Sequence, residues 1–177
     1  CDPEFIGYHL LSESELSTQA VAKQLPEEKV GVVVKIGDEV QILEYSNLPD
    51  EAGRRTDESG GLALWAGNTA IHVFDRAFLE RAQAQADSLP FHRAHKKVPY
   101  INEAGELVEP HEPNAIKFER FIFDLLPHAK DAIVVEIDPA TGFAPVKNAP
   151  GEPRDTPETS RSAVLALHRN WLESAGA

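Results

Sequence analysis

Hydrophobic and polar residues are patterned most clearly over residues 30–45, where the runs VGVVVKI and EVQILEY flank the dipeptide Gly37-Asp38. Runs rich in Val and Ile are typical of β-strands, and a two-residue Gly-Asp connection favours a tight hairpin. Counting outward from this turn predicts the cross-strand pairs Ile36–Glu39, Val34–Gln41, Val32–Leu43 and Gly31–Glu44. The last pair places a glycine opposite a carboxylate.

The predicted pairing of Gly31 with Glu44 has a chemical consequence. Because glycine has no side chain, the sheet surface beside the carboxylate should be hollow, and a polar ligand has room to contact both the carboxylate and the glycine backbone. The alternative is that Glu44 lies on an exposed edge and Gly31 marks a β-bulge. The hairpin alone leaves both interpretations open.

Helix-start signals occur at three other places, where Asp or Thr precedes a helical pattern and in two cases Pro follows directly. The predicted helices are Asp2–Leu11, Asp75–Asp87 and Thr156–Gly176. In the last helix one apolar face is predicted, formed by Val164, Leu165, His168, Trp171 and Leu172.

A fourth helix is predicted over Lys117–Leu126, because Phe118, Phe121, Ile122 and Leu125 follow a helical period. Phe123 projects away from that stripe and therefore needs a second partner. On this prediction Phe121 is the better candidate for simple core packing.

The remaining segments favour strands and loops. Residues 12–25 fit either period, with strand slightly preferred, and residues 132–137 form a β-rich run typical of a buried strand. Residues 47–61 are polar and rich in turn formers, residues 62–74 are apolar on both sides of Gly67-Asn68, and residues 88–115 suggest loops with short strands. This alternation predicts an α/β domain with a mixed sheet.

Composition narrows the possible functions. The chain has 177 residues, 42% of them hydrophobic, and 29 acidic against 17 basic residues give a net charge of −12. This length supports one globular core, and the charge argues against a nucleic-acid partner. A single cysteine and the lack of an apolar run of roughly 20 residues predict a soluble protein of a reducing, cytoplasmic compartment without a membrane partner. The sequence carries no mark of oligomeric state.

Common catalytic and metal-binding motifs are absent. Neither GxSxG, GxGxxG nor GxxxxGK occurs, and His92 and His95 lack a nearby acid at ligand spacing, so no metal ligand is predicted in this chain. Lys147, in FAPVKNAP, follows a predicted strand through a Pro-bounded loop, a position where α/β proteins gather ligands. Its ammonium group suits a phosphate oxygen. The alternative is an exposed lysine without a role.

Six segments together carry a family resemblance. In chain order they are VGVVVKIGDEVQILEYSN, LWAGNTAIHVF, HKKVPYIN, PNAIKFERFIFD, FAPVKNA and TSRSAVLALHRNWLESAG. This series resembles the eukaryotic-type UDP-N-acetylglucosamine pyrophosphorylases, uridylyltransferases whose relatives include UDP-glucose and broad-specificity UDP-sugar pyrophosphorylases. The resemblance extends over nearly the whole chain and is less specific for the choice of sugar.

The resemblance implies a Rossmann-like nucleotidyltransferase fold of the sugar-nucleotide type, present as a partial domain. The implied reaction joins UTP and N-acetylglucosamine 1-phosphate to give UDP-N-acetylglucosamine and pyrophosphate, with Mg²⁺ as cofactor. The magnesium ligand, the UTP-binding half and a small C-terminal β-domain are expected outside residues 1–177. On this reading the 177 residues are the later, sugar-binding portion of the catalytic domain and are inactive alone.

The resemblance also implies roles for single residues. Glu44 matches the acceptor for sugar hydroxyls, Gly31 lends backbone beside it, and Asn68 matches a second sugar-binding side chain, unless it satisfies a local turn instead. Lys147 matches the catalytic cation at the phosphates. Phe121 and Phe123 match the aromatic residues around the sugar's 2-substituent.

Two alternatives to this function stay open. Within the same chemistry, the protein is a UDP-glucose or broad-specificity UDP-sugar pyrophosphorylase. In a different class, it is a non-catalytic module that binds a sugar phosphate.

Overall fold

The computed structural model of the protein describes residues 2–84 and 89–177. Its strands are β1 (Leu16–Ala22), β2 (Val32–Ile36), β3 (Glu39–Leu43), β4 (Ala66–Phe74), β5 (His92–Lys96), β6 (Tyr100–Ile101), β7 (Leu107–Val108), β8 (Ala115–Glu119) and β9 (Ile133–Glu136). Five of them form a mixed sheet in the order β3-β2-β4-β1-β9, in which β1 and β9 are parallel and the other neighbours antiparallel. The predicted α/β domain with a mixed sheet is confirmed.

Strand β1 lies inside the sheet, and residues 16–21 are all buried. The strand preference for residues 12–25 is therefore confirmed. Strand β9 pairs with β1 on one side only and stands at the end of the strand order, with Val134 37% exposed. The prediction of a strand over residues 132–137 is confirmed, but this strand is half exposed, because no further described strand covers its outer edge.

The helices are α1 (Pro3–Leu11), α2 (Asp50–Gly53), α3 (Arg76–Gln83), α4 (Pro139–Gly142) and α5 (Pro157–Ser174), with short 3₁₀ helices at Tyr45–Asn47 and Ile122–His128. The predicted caps are present. The carboxylates of Asp2 and Asp75 accept backbone N–H bonds of 2.9 and 2.7 Å, and Thr156 forms a capping box with Thr159. The predicted end of α3 at Asp87 lies outside the described residues.

The apolar face predicted for α5 exists but is exposed. Leu165 is 55% exposed, and Trp171 and Leu172 are each 61% exposed. A helical period predicts which residues share a face, but not whether another element covers that face.

The helix predicted over Lys117–Leu126 is wrong. Residues 115–119 form β8, which pairs antiparallel with β5, and a 3₁₀ helix begins only at Ile122. Cross-strand hydrogen bonds to β5, a partner more than 20 residues away in sequence, outweigh the local helical period. The spacing of Phe118, Phe121 and Leu125 therefore does not describe one helix face.

The apolar residues on both sides of Gly67-Asn68 belong to one strand. Strand β4 runs through both residues, and its pairing with β1 shifts between Thr18 and Ala20. Ala70 has a positive φ of 61°, which places the irregularity just after Asn68.

The hydrophobic core lies on one side of the sheet, beneath α3 and the second 3₁₀ helix. Its buried residues are Leu16, Ala20, Val33, Ile42, Ala66, Phe78, Ala82, Phe123, Leu125 and Leu126. This core holds the β2–β3 hairpin against the segment that follows β8, and so fixes the surroundings of Glu44.

Candidate functional site

The predicted hairpin register is confirmed in β2 and β3. Val32 pairs with Leu43, Val34 with Gln41, and Ile36 with Glu39, around Gly37 with its positive φ of 62°. One step beyond the paired residues, Glu44 approaches Gly31. A Cβ atom built on this glycine would lie 3.0 Å from Oε1 of Glu44, so the carboxylate occupies space that any other residue would fill.

Asn68 is joined to the same place through its backbone. Its N–H donates a 2.7 Å hydrogen bond to the carbonyl oxygen of Gly31, while its side-chain Oδ1 accepts a 2.9 Å bond from Ala70 N–H. The local turn that was the alternative role for the Asn68 side chain is therefore present. Within the described part of the chain, the Nδ2 group of Asn68 has no hydrogen-bond acceptor, so it can still donate to a ligand.

Glu44 is half-buried among charged groups from distant parts of the chain. Burial raises the pKa of its carboxyl group above the ordinary value, the charges of Glu119 and Asp124 raise this pKa further, and His92 and Lys147 oppose the shift. One lysine, one histidine and two further acidic groups are thus within electrostatic range of one carboxylate. Such a mixed cluster can accept hydrogen bonds from sugar hydroxyls. It can also lie close to a phosphate group.

An aromatic wall, defined as Phe121 and Phe123, stands beside this cluster. The two rings are stacked, with centroids 4.8 Å apart and an angle of 9° between their planes. Phe123 is 6% exposed and belongs to the core, whereas Phe121 is half-buried and packs against the core from outside. The expectation that Phe121 is the better core candidate is wrong, because it depended on the helix that does not form.

His92 has an acidic partner that sequence spacing did not indicate. Its Nε2 lies 2.7 Å from Oδ2 of Asp124, and its ring centroid lies 4.8 Å from that of Phe121. Asp124 is 32 residues away in sequence, so it is not an acid at ligand spacing and meets His92 only through the fold. No sequence signal joins these two residues.

Lys147 lies in a closed loop after α4. The loop is held together by the N–H groups of Lys147 and Asn148, which both donate to the carbonyl oxygen of Asp155 at 2.7 and 2.9 Å. The exposed Lys147 borders a cavity of about 340 Å³ whose charged lining is mixed: Lys29 and Arg154 are basic, and Glu27, Glu28 and Asp155 are acidic. Its charge reaches Glu44, so the loop brings a cation to the edge of the cluster.

A second cavity lies elsewhere and suits a different chemistry. A space of about 500 Å³ between α1 and β9 is lined by four acidic residues, Asp2, Glu4, Glu136 and Asp138. Four carboxylates disfavour a phosphate ligand by charge repulsion. The position of Glu44 and Lys147 is therefore the better site for a sugar phosphate.

Within residues 2–84 and 89–177, no group of three or more His, Cys, Asp or Glu side chains is arranged to hold a metal ion. The described helices include none with the length and apolar character needed to cross a bilayer.

Residues 1–152 match the model of a protein family described as UTP–glucose-1-phosphate uridylyltransferase. The chain belongs to this uridylyltransferase family. Among curated relatives, the mouse UDP-N-acetylhexosamine pyrophosphorylase-like protein 1 is 41% identical over 177 residues. The Saccharomyces cerevisiae UDP-N-acetylglucosamine pyrophosphorylase is 40% identical over 181 residues. The resemblance inferred from the sequence segments is thereby confirmed.

A solved structure of a family relative agrees with the fold. A putative UDP-N-acetylglucosamine pyrophosphorylase from Entamoeba histolytica superposes with a TM-score of 0.80 at 37% identity, covering 99% of this chain and 43% of that chain. The fold is therefore part of a sugar-nucleotide type nucleotidyltransferase domain, as predicted. The chain spans 35% and 38% of the length of the mouse and yeast relatives.

The uridylyltransferase fold brings the predicted site residues into one region. Gly31, Glu44 and Asn68 are in direct contact, and Lys147 acts on Glu44 through its charge. Residues 119 and 124, on either side of the aromatic wall, act on the same carboxylate. The roles assigned to these residues stay predictions, and sequence reasoning missed the contributions of His92, Glu119 and Asp124.

Proposed function

We propose that this chain forms the sugar 1-phosphate site of a pyrophosphorylase that makes UDP-N-acetylglucosamine and pyrophosphate from UTP and N-acetylglucosamine 1-phosphate. The observation that carries the proposal is the close approach of the half-buried Glu44 carboxylate to the side-chain-free Gly31, with Lys147 and His92 among the charged groups around Glu44 and with His92 packed against Phe121. Family membership and the names of the mouse and yeast relatives support the same chemistry.

The arrangement suits the binding half of this reaction. Glu44 would accept hydrogen bonds from sugar hydroxyls, with Asn68 Nδ2 as a donor beside it, and the ammonium of Lys147 would lie against phosphate oxygens. In the reaction, a phosphate oxygen of the sugar 1-phosphate bonds to the α-phosphorus of UTP, and the bond from that phosphorus to the pyrophosphate oxygen breaks. The protein's task is to position two polyanions and neutralise their charge.

We also expect Mg²⁺ as cofactor, as the family resemblance implies. The described residues include no group of three or more side chains that could hold a metal ion, and we expect the magnesium ligand upstream of residues 1–177. We expect a reducing, cytoplasmic setting from the single cysteine.

The proposed enzyme and its alternative, a UDP-glucose pyrophosphorylase, differ in the sugar 1-phosphate that they bind. The family description names glucose 1-phosphate, whereas the mouse and yeast relatives are named for N-acetylated sugars. The half-buried Phe121 ring, stacked on the buried Phe123, offers an apolar surface that suits an N-acetyl methyl group, whereas a bare 2-hydroxyl needs a hydrogen-bond partner. This contact is the reason to prefer N-acetylglucosamine 1-phosphate.

Direct binding tests the site in this chain. Calorimetry with N-acetylglucosamine 1-phosphate, glucose 1-phosphate, free N-acetylglucosamine and inorganic phosphate should give the tightest binding for the first ligand. The Glu44→Gln variant should weaken binding of both sugar phosphates roughly 10-fold, the effect of losing charge-assisted hydrogen bonds to hydroxyls. Equal affinity for the two sugar phosphates would remove the preference for the N-acetyl group, and no binding at all would remove the site.

Turnover distinguishes an enzyme from a binding module. We would replace the matching segment of the yeast UDP-N-acetylglucosamine pyrophosphorylase with these 177 residues and measure pyrophosphate release from UTP. The enzyme hypothesis expects release with N-acetylglucosamine 1-phosphate, and loss of release with Lys147→Ala. A folded chimera that binds the sugar phosphate without releasing pyrophosphate would favour the non-catalytic module.

A further inference from the structure

His92 and Asp124 form a pair whose purpose the proposed sugar contacts do not explain. The Nε2 of His92 and Oδ2 of Asp124 are 2.7 Å apart, and their side chains are only 25% and 14% exposed. Burial of two polar groups costs free energy unless the hydrogen bond between them is well formed. The bond therefore fixes the orientation of the His92 ring.

The fixed His92 ring packs directly against the aromatic wall. Its centroid lies 4.8 Å from Phe121, Phe121 lies 4.8 Å from Phe123, and Phe123 lies 6.4 Å from His72 in β4. Four rings thus form a series from the partly exposed His92 to the sheet. Phe121 is in the middle of this series, in contact with one ring on each side.

Phe121 needs this support because the backbone around it is irregular. It connects β8 to the 3₁₀ helix and belongs to neither, so no regular hydrogen-bond ladder fixes its position. The neighbouring acid Glu119 is paired with Lys117, with Nζ and Oε1 2.8 Å apart, although it stands opposite His92 in the β5–β8 ribbon. Asp124 is therefore the carboxylate that holds His92.

We propose that Asp124 and His92 are positioning residues for the aromatic wall: Asp124 orients the His92 ring, and that ring holds Phe121 stacked on Phe123. This inference rests on the proposed function, since the wall is taken to meet the 2-substituent of the sugar. Its consequence is that discrimination between an N-acetyl group and a hydroxyl depends on two polar residues that need not touch the substrate.

A positioning role suits the chemistry better than a proton-transfer role. The second phosphate pKa is about 6, so the attacking phosphate oxygen of a sugar 1-phosphate is already anionic at neutral pH. No general base is then needed to create the nucleophile. The described contacts of the His92 ring are with the Asp124 carboxylate, which orients it, and with the Phe121 ring, which it packs against.

The test compares His92→Gln and Asp124→Asn with His95→Gln, an exposed histidine in the same strand that serves as the matched control. Calorimetry measures the ratio of the dissociation constants for glucose 1-phosphate and N-acetylglucosamine 1-phosphate. Both site variants should lower this ratio roughly 3- to 10-fold, the range expected when one aromatic contact is lost. The control should leave the ratio unchanged.

A double-mutant cycle tests whether His92 affects sugar selectivity by way of Phe121. In a Phe121→Ala background, His92→Gln should cause no further loss of selectivity, because the ring that it positions is already gone. Additive losses would show that His92 acts independently of Phe121 and would overturn the proposal. A general loss of structure would lower the affinity for both sugar phosphates equally and leave the ratio intact.

Aromatic NMR signals give a second readout that needs no ligand. Stacking at 4.8 Å shifts the ring protons of Phe123 through the ring current of Phe121, so His92→Gln and Asp124→Asn should move these signals while His95→Gln does not. If the wild-type chain discriminates between the sugars and the variants keep both that ratio and these signals, only the positioning role fails. If the wild-type chain binds neither sugar phosphate, the proposed function fails and this inference fails with it.

Discussion

Gly31 and Glu44 are placed so that a methyl group on the glycine would lie 3.0 Å from the carboxylate oxygen Oε1 and equally close to Cγ2 of Ile42. Real Cβ atoms seldom approach other atoms so closely, so the space depends on the residue being glycine. The relationship explains how a half-buried acid is accommodated at the end of a hairpin strand.

Gly31→Ala should therefore reduce both stability and ligand affinity. The new methyl group forces Glu44 or Ile42 to move, and we expect a loss of about 1–2 kcal/mol in the free energy of unfolding, typical of overpacking. Gly7→Ala is the matched control, because nothing lies within 4 Å of a Cβ at Gly7 and alanine favours the helix α1. Urea denaturation of the two variants measures the difference, and equal stabilities would contradict the close contact.

Glu44→Gln should change stability in a pH-dependent way. Burial raises the pKa of Glu44 in the folded chain, so between the ordinary value of 4.5 and the raised value the folded chain binds more protons than the unfolded chain. The wild type then loses stability as pH rises through this window. The glutamine variant lacks this loss and should be more stable than wild type at pH 7, with the advantage disappearing below pH 4.5.

Thermal unfolding of wild type and Glu44→Gln from pH 3.5 to 7.5 measures this difference. Glu58→Gln, in an exposed loop, serves as the control and should show no such trend. Because Glu44→Gln should also weaken sugar-phosphate binding, stability and binding would change in opposite directions, as is common at functional sites. A variant that is less stable than wild type at pH 7 would contradict the direction of the pKa shift.

Alanine substitution should separate the two rings of the aromatic wall. Phe123→Ala removes a core side chain and should cost about 3–5 kcal/mol of the free energy of unfolding, whereas Phe121→Ala should cost clearly less because its ring is only half-buried. Chemical denaturation measures both values, with the exposed Phe118→Ala as reference. The opposite ranking would restore the helix-based interpretation, in which Phe121 is the core residue.

Lys147→Ala should affect binding without affecting folding. The side chain is exposed and its contribution is a charge at the edge of the site, so we expect roughly 10-fold weaker binding of a sugar 1-phosphate and an unchanged free energy of unfolding. Binding by the wild type should also weaken as salt is added. Lys97→Ala, in the basic pair 96–97, is the control. An equal loss of affinity in both variants would indicate only a general charge effect.

Local interactions explain what could be predicted from the sequence. The turn at Gly37-Asp38 fixes the β2–β3 register, because a two-residue hairpin connection leaves one pairing that keeps the apolar residues on a common face. The caps at Asp2, Asp75 and Thr156 were predictable for the same reason, since each satisfies N–H groups within three residues. These elements need no information about the rest of the chain.

Residues 115–124 show where local reasoning fails. The apolar spacing from Phe118 to Leu125 fits a helix, yet pairing with β5 draws residues 115–119 into a strand and leaves Phe121 at the junction. The same pairing brings His92 towards Asp124. Both contacts depend on closing the loop of residues 97–114, and their free energy comes from packing and hydrogen bonds that exist only after closure.

The amino-acid order by itself determined the hairpin, the helix starts and the opposition of Gly31 to Glu44, because short loops and backbone capping leave few alternatives. Only the tertiary structure decided that Phe123 is core, that Phe121 is supported by His92, and that β9 stands at the end of the sheet. The physical reason is that burial and ion pairing depend on which distant segments meet, and neither hydrophobic period nor residue spacing contains that information.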